Sequence, residues 1–466
     1  MEPAHNLFRA PGCRLLKRNR RQERKDECNR CEHLQRDVLL EELSQGSNSK
    51  SGVRGIKRVD LAYVEVATSE SARDINRDII LELVRAQQAV ARADLSRLSG
   101  LQPSTVSAIV EQLIEERWIT EGGVVRRPRG RRPTLLSLNN DLVILAADLR
   151  PKQAAVAVVD LNGRVLARQL VPIVAEPERA VDKIVECMQA MRDAHATKSF
   201  EGIGISMPGR VNPETHRLIL APNLKWSDYD VKGVVQHKMK LQVELDNAAN
   251  ACLLSELWSG RMDGVRNAVL ITLSEGLGTA ILANGQIVAG RDGLAGEFGH
   301  IPIDPVGPVC GCSQRGCWEV FASSTAAVRF YAELAPRSGI RSIQELMHLV
   351  EEGDSAAIEA VSRQAGHLGR GLRLITAALS PEVILISGDI TTSWNRFGPL
   401  VQTELEKRML SGTAPKLMIT TDGELARLRG AAAVALQRHS GHILSTHPSD
   451  AAKGSVRRLG SSSRNR

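Results

Sequence analysis

The sequence predicts an α/β protein in which an N-terminal winged helix-turn-helix is followed by two α/β lobes. Three observations support this fold class. Apolar residues recur at helical spacing between residues 74 and 114, five arginines lie within residues 126–132, and short apolar strands alternate with helices through 141–440. Such alternation is typical of folds in which helices cover a largely parallel sheet.

Length and charge indicate how the chain is divided. Its 466 residues exceed what one hydrophobic core holds, so we expect several domains. The net charge of +8 is uneven: residues 1–70 and 71–140 each carry +3, residues 441–466 carry +4, and residues 141–440 carry −2. We expect a basic, disordered extension at 1–70 and a disordered basic tail at 441–466. The basic excess at the two ends indicates an anionic partner.

Composition excludes several classes of protein. The sequence contains no run of 18 apolar residues, and its first residues are polar and basic rather than signal-like. We therefore expect a cytoplasmic protein without a membrane partner. Aromatic residues make up only 3% of the chain, which argues against a single-strand binder that stacks bases on aromatic rings.

The helix-turn-helix prediction covers residues 71–140. The segment "DINRDIILELVRAQ" predicts a first helix whose apolar face holds Ile75, Ile79, Ile80, Leu83 and Val84. A short second helix follows at "RADLSRLSG", with Leu95 and Leu98 facing inward and Gly100 ending it.

The third helix and the segment after it are the predicted DNA-binding elements. In "LQPSTVSAIVEQLIEERWI", Pro103 begins the helix and either Ser104 or Thr105 can cap it. Ser104, Thr105 and Ser107 are the candidates for contacts in the major groove. The following hairpin would form the wing, whose arginines suit DNA phosphates or a narrow minor groove. These arginines are Arg126, Arg127, Arg129, Arg131 and Arg132.

Residues 141–440 contain the same strand pattern twice. "LVILAADL", "AAVAVVD" and "RVLARQL" predict three strands with a hairpin turn at Asn162-Gly163. "AVLITLSEG" and "TAILANGQIVAG" begin the second half, with a hairpin turn at Asn284-Gly285. We therefore predict two α/β lobes.

One cysteine cluster has the spacing of a metal site. His300, Cys310, Cys312 and Cys317 form H-x9-C-x-C-x4-C, and three thiolates with one imidazole suit tetrahedral Zn²⁺. Four protein ligands leave no position for an activated water, so the predicted zinc is structural. A redox dithiol or free thiols are the alternatives.

The remaining cysteines carry weaker signals. Cys28-x-x-Cys31-x-His33 offers three ligands without a fourth, which is a weak metal motif. Cys187 and Cys252 lie in apolar helical patterns and are predicted to be core residues.

The segment "GLAGEFGHIPIDPVGPVCGCSQRGCWE" resembles the signature of the ROK family of repressors, uncharacterised frames and sugar kinases. "GIGISMPGRV", "DNAANACLLSE" and "SEGLGTAILANGQIVAG" extend the match, and "GRRPTLLSLN" resembles the end of the family's DNA-binding half. Ser313 stands where the family usually has glycine. The resemblance implies two actin/hexokinase-like (ribonuclease H-like) lobes and makes 141–440 a sugar-binding domain with a zinc loop at 297–319. By the same resemblance, sugar hydroxyls would be held by Asn247, Glu297, His300 and Glu319.

Two departures argue against kinase activity. The family's kinases use the Asp of an Asn-Asp pair as general base, and the matching position here is Ala248, although a one-residue shift would restore Asp246. The family's first phosphate-binding turn runs Asp-x-Gly-Gly-Thr, whereas "DLRPKQ" keeps Asp148 but has Arg150 and Pro151 in place of glycines.

These observations favour a non-enzymatic transcriptional regulator of carbohydrate metabolism, most simply a repressor. It would bind a double-stranded DNA operator as a homodimer or tetramer and respond to a small sugar or sugar phosphate. The alternatives are an ATP-dependent ROK sugar kinase with a fused DNA-binding domain and a redox sensor whose zinc thiolates oxidise.

Overall fold

A computed structural model describes residues 69–124, 133–407, 412–420 and 423–437 of the chain. The predicted basic extension and tail lie outside these residues, except that residues 69 and 70 already belong to the first helix. The tip of the predicted wing, with its five arginines, also lies outside them.

The first helices and strands of the described chain form a winged helix-turn-helix. Its helices are α1 (Ser69–Gln87), α2 (Arg92–Ser99) and α3 (Pro103–Glu115). Its strands are β1 (Val90–Ala91), β2 (Ile119–Val124) and β3 (Thr134–Leu138), which form an antiparallel sheet in the order β1-β3-β2. Gly100 ends α2 with φ +73°, a conformation that favours glycine, so the predicted turn is confirmed.

Two local predictions in this region were wrong. Leu98 was predicted to face inward but is 50% exposed, whereas Leu95 is fully buried. An eight-residue helix presents about two turns, so apolar spacing alone cannot decide which leucine reaches the core. Neither Ser104 nor Thr105 caps α3, because the chain enters the helix through extended Gln102, with no side-chain capping bond.

The N-terminal lobe is built on a five-stranded sheet in the order β11-β7-β4-β5-β6. Strands β4 (Leu142–Leu149), β5 (Gln153–Asp160) and β6 (Val165–Pro172) are antiparallel, and the turn at Asn162-Gly163 joins the last two. Strands β7 (Ser199–Met207) and β11 (Val243–Asn247) add in parallel beside β4. Helices α4 (Pro177–Ala194) and α5 (Val231–Met239) cover one face.

A small sheet on this lobe was missed by the sequence prediction. It contains β8 (Arg210–Val211), β9 (Leu218–Ala221) and β10 (Trp226–Tyr229) in antiparallel pairing. Strands of two to four residues are too short to show the period-2 alternation on which strand prediction depends.

The C-terminal lobe repeats this arrangement, with sheet order β14-β13-β12-β15-β16. Strands β12 (Ala268–Leu273), β13 (Leu277–Ala283) and β14 (Gln286–Ile287) are antiparallel, and β15 (Val383–Gly388) and β16 (Lys416–Ile419) add in parallel. The predicted α/β class with two similar lobes is confirmed. Four helices form the main core of this lobe with the sheet: α8 (Ser324–Leu334), α9 (Ile343–Glu352), α10 (Ser355–Leu379) and α11 (Trp394–Glu406), preceded by the single turn α7 (Glu319–Ala322).

Two helices connect the lobes. Helix α6 (Ala248–Trp258) packs against β12 and β13 of the C-terminal lobe, and α12 (Gly423–Leu436) packs against α6 and against β4 and β7 of the N-terminal lobe. The approach is close, because a Cβ added at Gly430 of α12 would lie 1.9 Å from the Ala251 carbonyl oxygen of α6. No helix in the described part of the chain is both long and apolar enough to cross a membrane.

Candidate functional site

The three cysteines and the histidine of the loop come together in space. The ligand atoms of His300, Cys310, Cys312 and Cys317 all lie within 4.8 Å of one another. The Cys312 and Cys317 Sγ atoms are 3.6 Å apart, and Cys310 Sγ lies 3.5 Å from His300 Nδ1. Zn–S bonds of about 2.3 Å and Zn–N bonds of about 2.0 Å give tetrahedral donor–donor edges of about 3.5 to 3.8 Å. The cluster therefore has the donors and the dimensions to hold a metal ion.

Backbone geometry explains how the loop folds so tightly. Gly316 has φ +67°, and a Cβ there would lie 1.5 Å from the Asp304 carbonyl oxygen. Ser313 also adopts a left-handed conformation, with φ +73°, which accounts for the glycine that the family usually has there. Two isolated bridges, Pro302 with Cys317 and Val309 with Arg315, close the loop.

Two of the three cysteines in the cluster, Cys310 and Cys317, are buried, and Cys312 is partly exposed. Burial raises the pKa of Cys310 and of Cys317 above the usual value for cysteine. A bound metal acts in the opposite direction, since a coordinating thiol is deprotonated. Cys187 and Cys252 are buried in separate helices, α4 and α6, as predicted.

A pocket between the two lobes begins beside this cluster. All of the residues predicted to hold sugar hydroxyls line it: Asn247, Glu297, His300 and Glu319. Ala248 lines it as well, on the first turn of α6. The structure thus brings to one cavity four predicted residues, of which the first and last, Asn247 and Glu319, are 72 positions apart in the chain.

Asn247 and His300 each make a structural contact through one side-chain atom and also line the pocket. Asn247 Oδ1 accepts a hydrogen bond from Asn250 N at 2.8 Å, which caps α6. His300 presents Nδ1 to the cysteine cluster, while its Nε2 lies 3.7 Å from Glu297 Oε2. Burial raises the pKa of Glu297, and the nearby His300 and Arg210 oppose that shift.

Glu319 connects the cysteine loop to the sheet. Its Oε2 accepts a hydrogen bond of 2.9 Å from the backbone N–H of Leu277, at the start of β13. Its Oε1 lies 3.5 Å from Cys310 Sγ. A Cβ added at Gly276 would come within 2.5 Å of Glu319 Oε2, so this contact depends on a glycine. Any ligand that binds Glu319 must share a carboxylate that is already positioned by two partners.

The turn that would bind phosphates in a family kinase is occupied by an ion-pair cluster. Asp148 is fully buried, and its Oδ1 accepts hydrogen bonds from Arg427 Nε at 2.8 Å and Ser206 Oγ at 3.2 Å. Its Oδ2 accepts a 2.9 Å bond from Arg150 Nε. Arg427 lies on α12 and lines the pocket. Sequence reasoning missed Arg427, because it is 279 residues from its partner.

Asp246 is held by hydrogen bonds beside the pocket. Its Oδ1 accepts hydrogen bonds from Asn247 N at 2.6 Å and Asn250 Nδ2 at 2.9 Å. Burial raises the pKa of Asp246 to about 6, but the residue is not among those that line the pocket. The position that does face the cavity holds the methyl group of Ala248.

Among the candidate DNA contacts, those on α3 are accessible. Ser104 is exposed, and Thr105 and Ser107 are half-buried on the same helix. The opposite face, including Val106 and Val110, is buried against the rest of the winged helix.

Comparison with known proteins identifies the family to which the chain belongs. The xylose repressor of Bacillus spizizenii is 28% identical over 358 residues, which cover 76% of this chain and 91% of that protein. A solved ROK family transcriptional regulator, a homologue of the Escherichia coli MLC protein, is 26% identical with a TM-score of 0.70, covering 80% of this chain and 98% of that one. A ROK family glucokinase from Streptomyces griseus, solved with glucose and AMPPNP, is 27% identical with a TM-score of 0.58, covering 63% of this chain and 99% of the glucokinase. The profile of the ROK family matches residues 145–438, and this chain is a member of that family.

Proposed function

We propose that the chain is a DNA-binding transcriptional regulator, most simply a repressor, whose affinity for an operator is set by a sugar in the pocket between the lobes. The observation that carries the proposal is the fusion of a winged helix to a kinase-like pocket in which Ala248 stands at the base position and Asp148 is paired with two arginines. The xylose repressor and the solved ROK regulator, which match both parts of the chain, support it.

In this proposal the pocket residues have complementary hydrogen-bonding roles. Asn247 Nδ2 donates to a sugar hydroxyl, Glu297 and Glu319 accept from hydroxyls, and His300 uses its Nε2. A polyhydroxylated ligand needs donors and acceptors that converge in this way. His300 and Glu319 are both in contact with Cys310 of the cluster. The cysteine loop therefore positions two of the four side chains proposed to bind the sugar.

We assign a structural Zn²⁺ to His300, Cys310, Cys312 and Cys317. When bound, the ion would stabilise the loop and keep the three thiols ionised. Nδ1 of the histidine is already directed at the cysteines, which leaves Nε2 on the pocket side. A closed set of four protein ligands matches a structural role rather than a hydrolytic one.

Pocket charge favours a neutral sugar over a sugar phosphate as the effector. Glu275, Glu297 and Glu319 line the cavity, whereas the guanidinium of Arg427 is paired with the buried Asp148. A phosphate dianion would be repelled by these carboxylates. We therefore expect neutral hexoses, pentoses or N-acetylated aminosugars to raise the unfolding temperature, and the corresponding sugar phosphates to leave it unchanged.

The DNA contacts are proposed on the winged helix. Ser104, Thr105 and Ser107 would reach the major groove, while the arginines of 126–132 would contact phosphates or the minor groove. Each phosphate contact that is lost by a wing Arg→Ala substitution should lower the slope of log K against log salt by about 0.9.

The same geometry argues against the kinase alternative. The likeness to the glucokinase gives the chain a kinase fold, but a general base contributes about 10²- to 10⁴-fold to rate, and Ala248 cannot accept a proton. Pro151 at the phosphate turn has no N–H to offer, and Arg150 is paired with Asp148. ADP release on addition of ATP and a hexose would support the alternative.

One experiment tests the main proposal. Purified protein is screened by thermal shift against D-xylose, D-glucose and N-acetyl-D-glucosamine, and fluorescence anisotropy then follows its binding to DNA from upstream of its own gene. We expect at least one sugar to stabilise the protein and to change its DNA affinity. Indifference of DNA binding to every sugar would contradict the proposal. Sedimentation of the complex tests the expected homodimer or tetramer, which would place two winged helices on one operator.

A further inference from the structure

Helix α6 extends from the sugar pocket to the winged helix. Asn247 caps its first turn, and Ala248 and Ala249 line the pocket. At the other end, the carbonyl oxygen of Trp258 accepts a hydrogen bond from Arg85 Nη1 on α1. The helix has 11 residues, so about 16 Å separate its two ends.

Helix α6 is closely packed along most of its length. Residues 249–256 are all buried, and the close approach of Ala251 to Gly430 leaves no space between α6 and α12. The apolar residues of α6 belong to a core that it shares with β12 and β13 of the C-terminal lobe. A displacement of α6 at the pocket is therefore transmitted to Trp258 rather than absorbed by loose packing.

The winged helix, in contrast, is attached to the N-terminal lobe. Ile80 and Val84 of α1 share a hydrophobic core with Ile144 and Val159 of that lobe's sheet. Arg117 Nη1 also donates to Ser199 Oγ, at 3.3 Å, at the start of β7. The bond from Arg85 to Trp258 thus joins α1 to the C-terminal end of α6, where the Trp258 side chain packs on the same core.

Helix α1 is in addition connected to the predicted DNA-recognition helix. Arg77 of α1 forms an ion pair with Glu116, the residue that ends α3. Arg85 is held on its own helix by Glu82, and its side chain is only 18% exposed. A continuous set of contacts therefore leads from the pocket through α6, Arg85 and α1 to the end of α3.

We propose that Arg85 is the positioning residue that couples sugar binding to DNA binding. The inference rests on the proposed function, because it assigns the route by which that function is regulated. A sugar held by Asn247 on α6 and by Glu297 on the C-terminal lobe changes the position of α6 relative to α1. The Trp258 carbonyl then moves, and Arg85 transfers that movement to α1 and so to α3.

The test compares three variants for two affinities each. Arg85→Ala removes the contact with Trp258. Glu82→Gln removes the charged partner on α1 but leaves the α6 contact in place. Arg363→Ala is the matched control. Arg363 forms an ion pair with Glu359 on its own helix, α10, as Arg85 does with Glu82 on α1, but it lies away from α6. Sugar affinity is measured by calorimetry with the sugar of the three-member panel that gives the largest thermal shift, and DNA affinity by anisotropy with and without it.

We expect the wild-type chain, Glu82→Gln and Arg363→Ala to show the same sugar-dependent change in DNA affinity, of about 5- to 150-fold. Arg85→Ala should retain sugar affinity and sugar-free DNA affinity within about twofold, while the sugar-dependent change falls to less than about a third of the wild-type factor. An unchanged factor in Arg85→Ala would overturn the inference and leave the proposed function standing. Loss of both affinities in Arg85→Ala would also overturn it, because the residue would then be structural. A wild-type chain without any sugar response would refute the proposed function and this inference together.

Discussion

Asn247 combines two roles that different substitutions can separate. Its Oδ1 caps α6 by accepting a 2.8 Å hydrogen bond from Asn250 N, and the residue also lines the pocket. In the proposed function, its Nδ2 donates to a sugar hydroxyl. Alanine removes both interactions, whereas serine keeps a capping oxygen but is too short to replace the amide donor.

The two losses are of similar size but affect different measured quantities, the stability of the free protein and its sugar affinity. Replacing an N-cap Asn by Ala costs about 1 kcal/mol, which lowers the unfolding temperature of a domain of this size by about 2 °C. Loss of one net hydrogen bond to the sugar costs about 0.5 to 1.5 kcal/mol, or about 2- to 13-fold in Kd. Asn247→Ala should show both effects. Asn247→Ser should show the loss of sugar affinity with a stability within about 0.5 kcal/mol of the wild type.

The assay is calorimetric titration with sugar, combined with urea unfolding of the free protein. Ser342→Ala is the matched control, because Ser342 caps α9 in a capping box and does not line the pocket. This control should lose stability and keep its sugar affinity. Wild-type affinity in Asn247→Ser would refute the assignment of Nδ2 to the sugar, and wild-type stability in Asn247→Ala would refute the capping argument.

Three further substitutions test the metal site, the pocket and the missing base. Cys317→Ser should reduce the zinc content, measured by atomic absorption, from about one ion per chain to nearly none, whereas Cys187→Ser should not; zinc retained in the first variant would exclude this ligand. Gly276→Ala places a Cβ 2.5 Å from Glu319 Oε2 and should weaken sugar binding about tenfold in calorimetry, and unaltered binding would show that the carboxylate is not a contact. Ala248→Asp should still release no ADP from ATP and sugar, because the acid of the phosphate turn remains paired with arginines, and measurable turnover would contradict that reasoning.

Much of the fold could be predicted because its signals are local. The hairpin turns at Asn162-Gly163 and Asn284-Gly285 were predicted from dipeptides that favour positive φ, and Asn284 and Gly285 adopt φ of +54° and +83°. The cysteine cluster could also be predicted from a local pattern. Its four ligands span only 18 residues, so their spacing in the sequence already constrains their separation in space.

The parts that could not be predicted depend on contacts between distant segments. No pattern near Asp148 indicates that Arg427 will neutralise it, and none near Trp258 indicates Arg85 as a partner for its carbonyl. The bond from Leu277 N to Glu319 is hidden for the same reason, since 42 residues separate the two. Such pairs depend on how the lobes pack against each other. Hydrophobic periodicity and residue spacing within a short segment contain no information about that packing.

In the proposed function, the buried Asp148 explains how a kinase-like pocket can lose phosphate chemistry and keep its structure. A buried carboxylate is costly unless it is paired and hydrogen-bonded, and here two guanidinium groups and the Ser206 hydroxyl satisfy it. If Asp148 were replaced by Asn, two half-buried arginines would lose their charge partner, at a cost of about 3 to 5 kcal/mol. The same carboxylate therefore stabilises the contact between α12 and β4 on which the pocket depends. Because Arg427 reaches it from α12, the ion pair holds that helix against the sheet of the N-terminal lobe. Helix α12 in turn packs on α6, the element that we propose carries the signal from the sugar to the winged helix.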